Sequence, residues 1–289
     1  MRRAVVTMAV GEAGRDLLNI TGDGIAAYAA RLGADYHVIA GEPGRPEYPY
    51  DDKFRVAEFF DFYDRVLYID ADIVVAPDAP DLFAAVPEEN VGICNERLYG
   101  ARFGNMDREV GDIQAHRGFR RQRLRAYYNS GLMVLSRRHR PAVEPPATPH
   151  HRIYHTIEQD LINARLIEYG FPVTEFGPEL CWMFFAEREG RTRAGRPFHH
   201  YAGASTLGRG HVMEMLGDPF ADVWTPADRR LVYDVLGRLD AVLGDKYVLS
   251  GGALFGQTRH GDILRWDDDV DIVAAGLPDW RPGEPLRLE

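Results

Sequence analysis

Two carboxylates at the end of an apolar stretch are the first residues whose types and spacing suggest chemistry. In RVLYIDADIVV, residues 65–75, Asp70 and Asp72 follow an apolar run that predicts a buried strand. Because an unpaired buried carboxylate is costly, we expect a positive group beside them. A hard divalent cation would suit such a pair and would neutralise a diphosphate. The alternative is that the aspartates begin a turn or cap a helix.

The elements that would position these acids follow from hydrophobic periodicity and from capping residues. Asp23 and Asp52 can cap the first two helices, and Gly33, Gly170 and Gly244 can end helices. The pattern predicts strands at residues 4–10, 36–40, 66–69, 91–95 and 132–136. It predicts helices at residues 25–32, 54–63, 156–169 and 226–243.

The order of these elements predicts the fold class. Alternation of strand and helix before residue 70 indicates an α/β protein with a mostly parallel sheet and helices on both faces. Ligands of such sheets bind at the carboxyl ends of the strands, where Asp70 and Asp72 lie. Residues 100–126 are polar and rich in Gly and Arg, and we expect them to form a flexible excursion.

Composition restricts the class of protein further. The chain has 289 residues, which suits one large domain or one domain with an appendage. A net charge of −10 argues against non-specific binding to nucleic acid. Cys94 and Cys181 give no disulfide framework, and no apolar run approaches the roughly 20 residues that span a bilayer. We expect a cytoplasmic protein without a transmembrane segment, which could still contact the inner membrane face peripherally.

Four stretches carry a resemblance to a known family. RVLYIDADIVV, YYNSGLMVLSR, TIEQDLINARL and FHHYAG appear in this order. Together they resemble the retaining glycosyltransferases of family eight, the glycogenin and lipooligosaccharide-galactosyltransferase type, which have the GT-A fold. The resemblance covers roughly residues 4–215. It implies a Rossmann-like GT-A domain, which we assign to residues 1–222, with residues 223–289 as a short C-terminal appendage.

The resemblance also implies a metal site. By it, Asp70, Asp72 and His200 hold Mn²⁺, or Mg²⁺, which bridges the diphosphate of a nucleotide sugar. An imidazole beside two carboxylates favours Mn²⁺. His199 is the rival ligand, and a surface position is the structural alternative for His200.

Donor-binding and catalytic roles follow from the same resemblance. Some of these residues also have a purely structural interpretation. The Asn-Ser-Gly stretch could form a turn, Gln159 could end a capping box, and Lys53, or its rival Arg55, could lie on a solvated helix face. Family members carry a Lys after His-x-x-Gly that binds the diphosphate. This chain lacks that Lys, and we expect Arg209 to take its place. The implied donor-binding residues are Thr7, Ala9, Val10, Lys53, Asp70, Asn129, Ser130 and Arg209. The implied catalytic residues are Glu158, Gln159 and Asp160.

The implied activity is metal-dependent, retaining transfer of a sugar. The donor would be a nucleotide sugar, with a UDP-hexose favoured, and the acceptor a glycan or a lipid-linked glycan in surface polysaccharide synthesis. No nucleic-acid partner is expected, and the sequence makes no prediction of oligomeric state. A non-catalytic module that binds nucleotide sugar or glycan is an alternative, supported by the missing Lys.

A second resemblance lies near the end of the chain. YVLSGGALFGQTRHGDILRWDDDVDIV, residues 247–273, resembles the LicD/fukutin phosphotransferases. Gly251 and Gly252 would let the backbone approach phosphates, and Asp269 and Asp271 would share one face of a strand as metal ligands. Family members continue well past this motif, so we interpret the segment as incomplete and expect no phosphotransferase activity from it alone. A LicD-type phosphotransferase, of which this chain is the N-terminal part, is the remaining alternative.

Overall fold

The computed structural model describes residues 1–41, 49–99, 106–122, 124–146, 157–184, 195–202 and 226–249, with residues 254, 257, 258, 270 and 272–274. The chain divides into two units, Met1–Ala204 and Ser205–Glu289. The sequence predicts a boundary after residue 222, and this remains a prediction because residues 203–225 lie outside the described part. In the part of the chain that the structure describes, every helix is too short or too polar to span a bilayer.

The described part of the first unit contains strands, α-helices and 3₁₀ helices. The strands are β1 (Arg3–Ala9), β2 (Asp35–Ala40), β3 (Arg65–Ile69), β4 (Ile73–Val75), β5 (Val91–Asn95), β6 (Tyr128–Ser136), β7 (Val173–Phe176), β8 (Cys181–Met183) and β9 (Phe198–His200). The α-helices are α1 (Gly11–Arg31), α2 (Leu82–Ala85), α3 (Met106–His116) and α4 (Ile157–Tyr169). The 3₁₀ helices are Pro49–Asp61, Glu96–Tyr99 and Arg137–Ala142.

The central sheet has six strands in the order β2-β1-β3-β6-β5-β7. Parallel pairing joins β1 to β2 and β3, and β5 to β7. The exception is β6, which is antiparallel to both β3 and β5. Five of the six strands therefore run in one direction, and the predicted α/β fold with a mostly parallel sheet is confirmed. A smaller sheet, in the order β4-β9-β8, adjoins the end of β3.

Both faces of the central sheet are covered by apolar packing. On one face, Val5 and Leu67 share a buried cluster with Tyr28 of α1. On the other face, Tyr68 shares a cluster with Phe54 of the 3₁₀ helix Pro49–Asp61 and with residues of α3 and α4. Successive strand residues point to opposite faces, so each strand supplies both layers. The predicted placement of helices on both faces is confirmed.

Two predicted helix starts are wrong. The first helix begins at Gly11, so Asp23 lies inside it and does not cap it. Gly24 also lies inside α1, and this helix shares a buried apolar cluster with β4. The aromatic helix begins at Pro49 and has 3₁₀ geometry, which places Asp52 inside it.

The predicted excursion at residues 100–126 contains a helix instead. Residues 106–116 form α3, because Val110, Ile113 and Gln114 recur at helical spacing and are all buried. Gln114 also accepts a hydrogen bond from the Gln122 amide at 2.9 Å, which ties down the chain after the helix. The prediction relied on the Gly and Arg content of this stretch and overlooked the short amphipathic pattern of residues 106–116.

The second unit is described mainly through one helix and a strand pair. Helix α5 (Pro226–Leu243) has the predicted bounds and is followed by Gly244 with a φ of 53°. Strand β10 (Tyr247–Leu249) pairs antiparallel with β11 (Ile272–Ala274). The Gly and Asp positions singled out in the LicD-like motif, residues 251, 252, 269 and 271, lie outside the described residues.

Candidate active site

Strand pairing brings the predicted metal ligands together. Asp70 directly follows β3, and Asp72 lies in the turn between β3 and β4. Because β4 pairs with β9, Ile73 lies opposite His200. The amide of Tyr201 donates to the Asp72 carbonyl at 3.0 Å and fixes the register beyond that pair. A residue far along the chain therefore reaches the two acids.

The three side chains form a compact donor set. Nε2 of His200 lies 3.2 Å from Oδ1 of Asp72 and 4.0 Å from Oδ2 of Asp70. One ligand atom from each residue lies within 4.8 Å of the others. Two carboxylate oxygens and an imidazole nitrogen are a set that binds divalent transition metals. His199, the rival ligand, pairs with Val74, and its ring lies 6.1 Å from the ring of Trp182.

Gly131 leaves the space in which these ligands meet. A Cβ at this position would lie 2.4 Å from Cε1 of His200 and 2.8 Å from Oδ2 of Asp70. It would also lie 2.9 Å from Oδ1 of Asn129. The Gly131 carbonyl accepts a hydrogen bond from the Asp70 amide at 2.7 Å. Gly131 does not have a positive φ, so space and not backbone conformation explains the glycine. The donor set and this space together fit a bound divalent cation.

The expected positive group beside Asp70 is Lys53. Its Nζ lies 3.2 Å from Oδ1 of Asp70, 3.1 Å from Oγ of Ser130 and 3.7 Å from Oε1 of Glu158. Burial by itself would lower the pKa of Lys53, but the carboxylates of Asp70 and Glu158 outweigh it and raise the pKa. Lys53 is therefore a buried cation shared by two anions. The predicted role of Lys53 at the donor remains a prediction.

Tyr68 adds a second group that holds Asp70. Its hydroxyl donates to Oδ1 of Asp70 at 2.5 Å, and Nζ of Lys53 lies 5.3 Å from the centre of its ring. Burial and the adjacent Asp70 carboxylate raise the pKa of Tyr68 well above its ordinary value. The hydroxyl therefore remains protonated and available as a donor. The sequence reasoning missed Tyr68, because its type suggested only a core residue in the strand.

Asn129, Ser130 and Gln159 form one hydrogen-bonded group. Oε1 of Gln159 accepts from the Ser130 amide at 3.0 Å, and Oδ1 of Asn129 accepts from the Gly131 amide at 2.9 Å. The side-chain nitrogens of both amides donate to Oε1 of Glu96, at 2.8 Å from Asn129 and 3.2 Å from Gln159. The Asn-Ser-Gly stretch thus lies in β6 and is held from α4, and is not a free turn.

Glu96 is the principal residue that the sequence reasoning missed. It is buried, and burial raises its pKa, although the hydrogen bonds from Asn129 and Gln159 oppose that rise. A signal was available, because Glu96 directly follows a predicted strand that ends at residue 95. The carboxyl ends of parallel strands meet at one edge of the sheet, so this position was a candidate for the site.

The acids of α4 face different partners. Glu158 faces Lys53, whereas Oδ1 of Asp160 accepts a hydrogen bond from the hydroxyl of Tyr127 at 2.7 Å. Residues two apart on a helix do not share a face. Burial raises the pKa of Glu158, with the Lys53 ammonium opposing the rise. The structure therefore groups Glu158 with Lys53 and Asp70, and places Asp160 against Tyr127.

The remaining predicted donor residues lie at the end of β1. Thr7 and Ala9 are buried in β1, and Val10 follows the strand. Among the described residues, the Thr7 hydroxyl has no hydrogen-bond partner. Strand β1 pairs with β3 up to Val6 opposite Tyr68, so these residues approach the same sheet edge as Asp70. Arg209 lies outside the described residues.

Two stretches of the chain match protein-family models. Residues 52–139 match the model of "Glycosyl transferase family 8". That match includes Lys53, both aspartates, Glu96 and the Asn-Ser-Gly stretch. Residues 244–287 match "LicD/FKTN/FKRP, nucleotidyltransferase domain".

A solved structure has a similar fold. A glycosyltransferase involved in the glycosylation of the major capsid of PBCV-1 has a TM-score of 0.50 and 15% identity, covering 74% of this chain and 100% of that one. The galactosyltransferase LgtC, solved with donor and acceptor sugar analogues, has a TM-score of 0.49 and 14% identity, covering 78% of this chain and 99% of that one.

Sequence relatives cover a short part of the chain. It is 45% identical over 58 residues to the ribitol 5-phosphate transferase FKRP of Homo sapiens, which is 18% of this chain and 12% of that protein. The Mus musculus protein is 48% identical over 54 residues, which is 17% of this chain and 11% of the relative. The chain therefore spans about an eighth of the length of these curated relatives.

The comparison with solved structures shows the fold: this chain has the GT-A fold found in glycosyltransferases. Within this fold, residues 52–139 are similar to the model of glycosyl transferase family 8.

Proposed function

We propose that this protein is a metal-dependent retaining glycosyltransferase that moves a hexose from a nucleotide sugar to a glycan or lipid-linked acceptor. A UDP-hexose is the proposed donor, and surface polysaccharide synthesis in the cytoplasm, at the inner membrane face, is the proposed setting. The observation that carries the proposal is the arrangement of Asp70, Asp72 and His200 around Gly131. Of these residues, all except His200 lie within the family-8 match.

Residues of the chain would prepare the site for the donor. Mn²⁺ is the proposed ion, and when bound it would stabilise the negative charge that develops on the leaving diphosphate. Lys53 and Tyr68 hold the Asp70 carboxylate in one orientation. Ser130, between Lys53 and Gln159, would contact the donor sugar from the edge of the sheet.

The contacts of Glu158 and Gln159 on α4 support a reaction that retains the anomeric configuration without an enzymatic nucleophile. Oε1 of Gln159 accepts a hydrogen bond from the Ser130 amide, and Glu158 faces the Lys53 ammonium. Both groups would therefore act as positioning and charge-stabilising groups. Attack by the acceptor hydroxyl would then occur on the face that the diphosphate leaves, and the leaving phosphate would take the hydroxyl proton. Of the two acids, Glu158 is proposed to face the sugar, because Asp160 contacts Tyr127.

Thermal unfolding with a panel of nucleotide sugars, with and without Mn²⁺, tests this function. A donor at about 100 times its Kd should raise the free energy of unfolding by about 2.7 kcal/mol. The stabilisation should require Mn²⁺ and should be lost in D70N/D72N. It should persist in D61N/D64N, which removes two surface carboxylates that pair with arginines instead. The identified donor then permits an NMR measurement of anomeric configuration in the product. Absence of any metal-dependent donor effect would refute the proposal.

A second candidate function is a phosphotransferase role for the segment after residue 244. The specific support is the LicD match at residues 244–287 and the local identity to FKRP. The pair D269N/D271N, compared with D70N/D72N, separates the two candidates. If only the later pair abolishes Mn²⁺-dependent binding of nucleotide donors, the phosphotransferase reading replaces the first proposal.

A further inference from the structure

One buried carboxylate near the metal ligands belongs to none of the roles assigned above. Glu96 directly follows β5, at the carboxyl edge of the sheet, and is 4% exposed. A single oxygen, Oε1, accepts from Nδ2 of Asn129 at 2.8 Å and from Nε2 of Gln159 at 3.2 Å. Asn129 and Gln159 come from different elements, β6 and α4. Glu96 therefore joins three segments of the chain at one atom.

This shared acceptor determines which way each amide side chain points. A carboxylate only accepts, so both NH₂ groups turn toward Glu96 and both amide oxygens turn away from it. The outward oxygens then accept from consecutive backbone amides, Oε1 of Gln159 from Ser130 and Oδ1 of Asn129 from Gly131. The backbone of the Asn-Ser-Gly stretch is thereby fixed by two hydrogen bonds that depend on one carboxylate.

The fixed backbone in turn sets the positions of the metal ligands. The Gly131 carbonyl accepts from the Asp70 amide at 2.7 Å, and the Gly131 Cα faces Cε1 of His200 with no room for a Cβ. The Ser130 hydroxyl holds Nζ of Lys53, which also binds Asp70. A small displacement of Gly131 would push against both Asp70 and His200.

We propose that Glu96 is a positioning residue that orients the Asn129 and Gln159 amides and thereby holds the Asp70–Asp72–His200 site in its metal-binding geometry. The inference rests on the metal dependence in the proposed function, but it concerns how the site is built and not which sugar is transferred. Glu96 would act through hydrogen bonding to the two amides and not as a metal ligand.

Manganese affinity, measured by an EPR titration of the whole chain with MnCl₂, tests this inference without any donor. Groups that orient metal ligands typically change affinity 10–100-fold when removed. We expect Glu96→Ala to weaken Mn²⁺ binding by about that factor and Glu96→Gln, which keeps a carbonyl oxygen, to stay within about threefold of wild type. Glu168→Ala is the matched control, because the Glu168 side chain is also a buried carboxylate but pairs with Arg117. Its Mn²⁺ affinity should equal that of wild type.

A reciprocal exchange covers the case in which Glu96→Ala does not fold. Asn129→Asp keeps the size of the side chain but places a second carboxylate against Glu96, and it should weaken Mn²⁺ binding. Adding Glu96→Gln to that variant restores a donor and an acceptor, and should recover most of the affinity. Unchanged affinity in folded Glu96→Ala, an equal loss in Glu96→Gln, or no recovery in the double variant would each overturn the inference. Wild-type protein that binds Mn²⁺ but transfers no sugar would refute the proposed function alone.

Discussion

Replacing Gly131 by alanine should disable the metal site at a moderate cost in stability. The added Cβ would lie 2.4 Å from Cε1 of His200 and 2.8 Å from Oδ2 of Asp70. Carbon atoms in ordinary contact lie about 3.5–4.0 Å apart, so the His200 ring must move by roughly 1 Å. Ligand distances at metal sites hold to about 0.2 Å, which is much less than this displacement. We therefore expect Mn²⁺ affinity to fall at least about tenfold, with about 1–3 kcal/mol lost from the free energy of unfolding.

A second glycine separates the effect on the site from the effect on folding. A Cβ at Gly92 in β5 would lie 2.6 Å from Cγ2 of Val86 and 2.7 Å from Cζ of Phe176, both in the apolar core. Gly92→Ala should therefore also lower the free energy of unfolding by about 1–3 kcal/mol, but it should leave the Mn²⁺ affinity unchanged. The assay is urea unfolding for stability, combined with EPR titration of Mn²⁺ in native buffer. If Gly131→Ala binds Mn²⁺ as tightly as wild type, the steric reasoning about this site is wrong.

Two further predictions concern stability. Lys53→Met should lower the free energy of unfolding by about 3–5 kcal/mol, because the buried Glu158 carboxylate and the half-buried Asp70 carboxylate lose their cation. A loss below about 1 kcal/mol in urea unfolding would contradict this. Burial lowers the pKa of His139 from 6.5 to about 4, so the unfolded chain takes up the proton first and stability should fall as pH drops through that range. The loss is at most about 3 kcal/mol, and it should be absent in His139→Gln, whose unfolding free energy serves as the reference at each pH; equal slopes in both proteins would exclude His139 as the cause.

Much of the fold could be predicted because its signals are local. Strands such as β2 and β5 are short apolar runs between turn residues, and the stops at Gly33 and Gly170 have positive φ as a helix end requires. The start of α1 could not be predicted in the same way. Asp23 has the residue type of a helix cap, but α1 already begins at Gly11, and its packing against β4 is a tertiary contact that no local signal in the sequence shows.

The grouping of the three candidate ligands could be predicted from the sequence, whereas the residues that support them could not. Asp70 and Asp72 have residue types and a spacing that suggest metal binding, His200 follows from the family resemblance, and the structure brings the three together. Tyr68 and Glu96 support the site through contacts with residues far away in the sequence. Their types are ordinary for a core strand and a strand end, so only the tertiary arrangement shows what they hold.

The direction of β6 explains why these supports converge. A parallel strand contributes its last residues to the carboxyl edge of a sheet, as β3 contributes Asp70 and β5 is followed by Glu96. Strand β6 runs the other way between them, so it contributes its first residues, Asn129 and Ser130. An amide and a hydroxyl of β6 thereby lie between the strand ends that lead to Asp70 and Glu96. Because consecutive strand residues point to opposite faces, a one-residue slip of β6 would exchange the faces of Asn129 and Ser130. The geometry of the site therefore depends on the register of this strand.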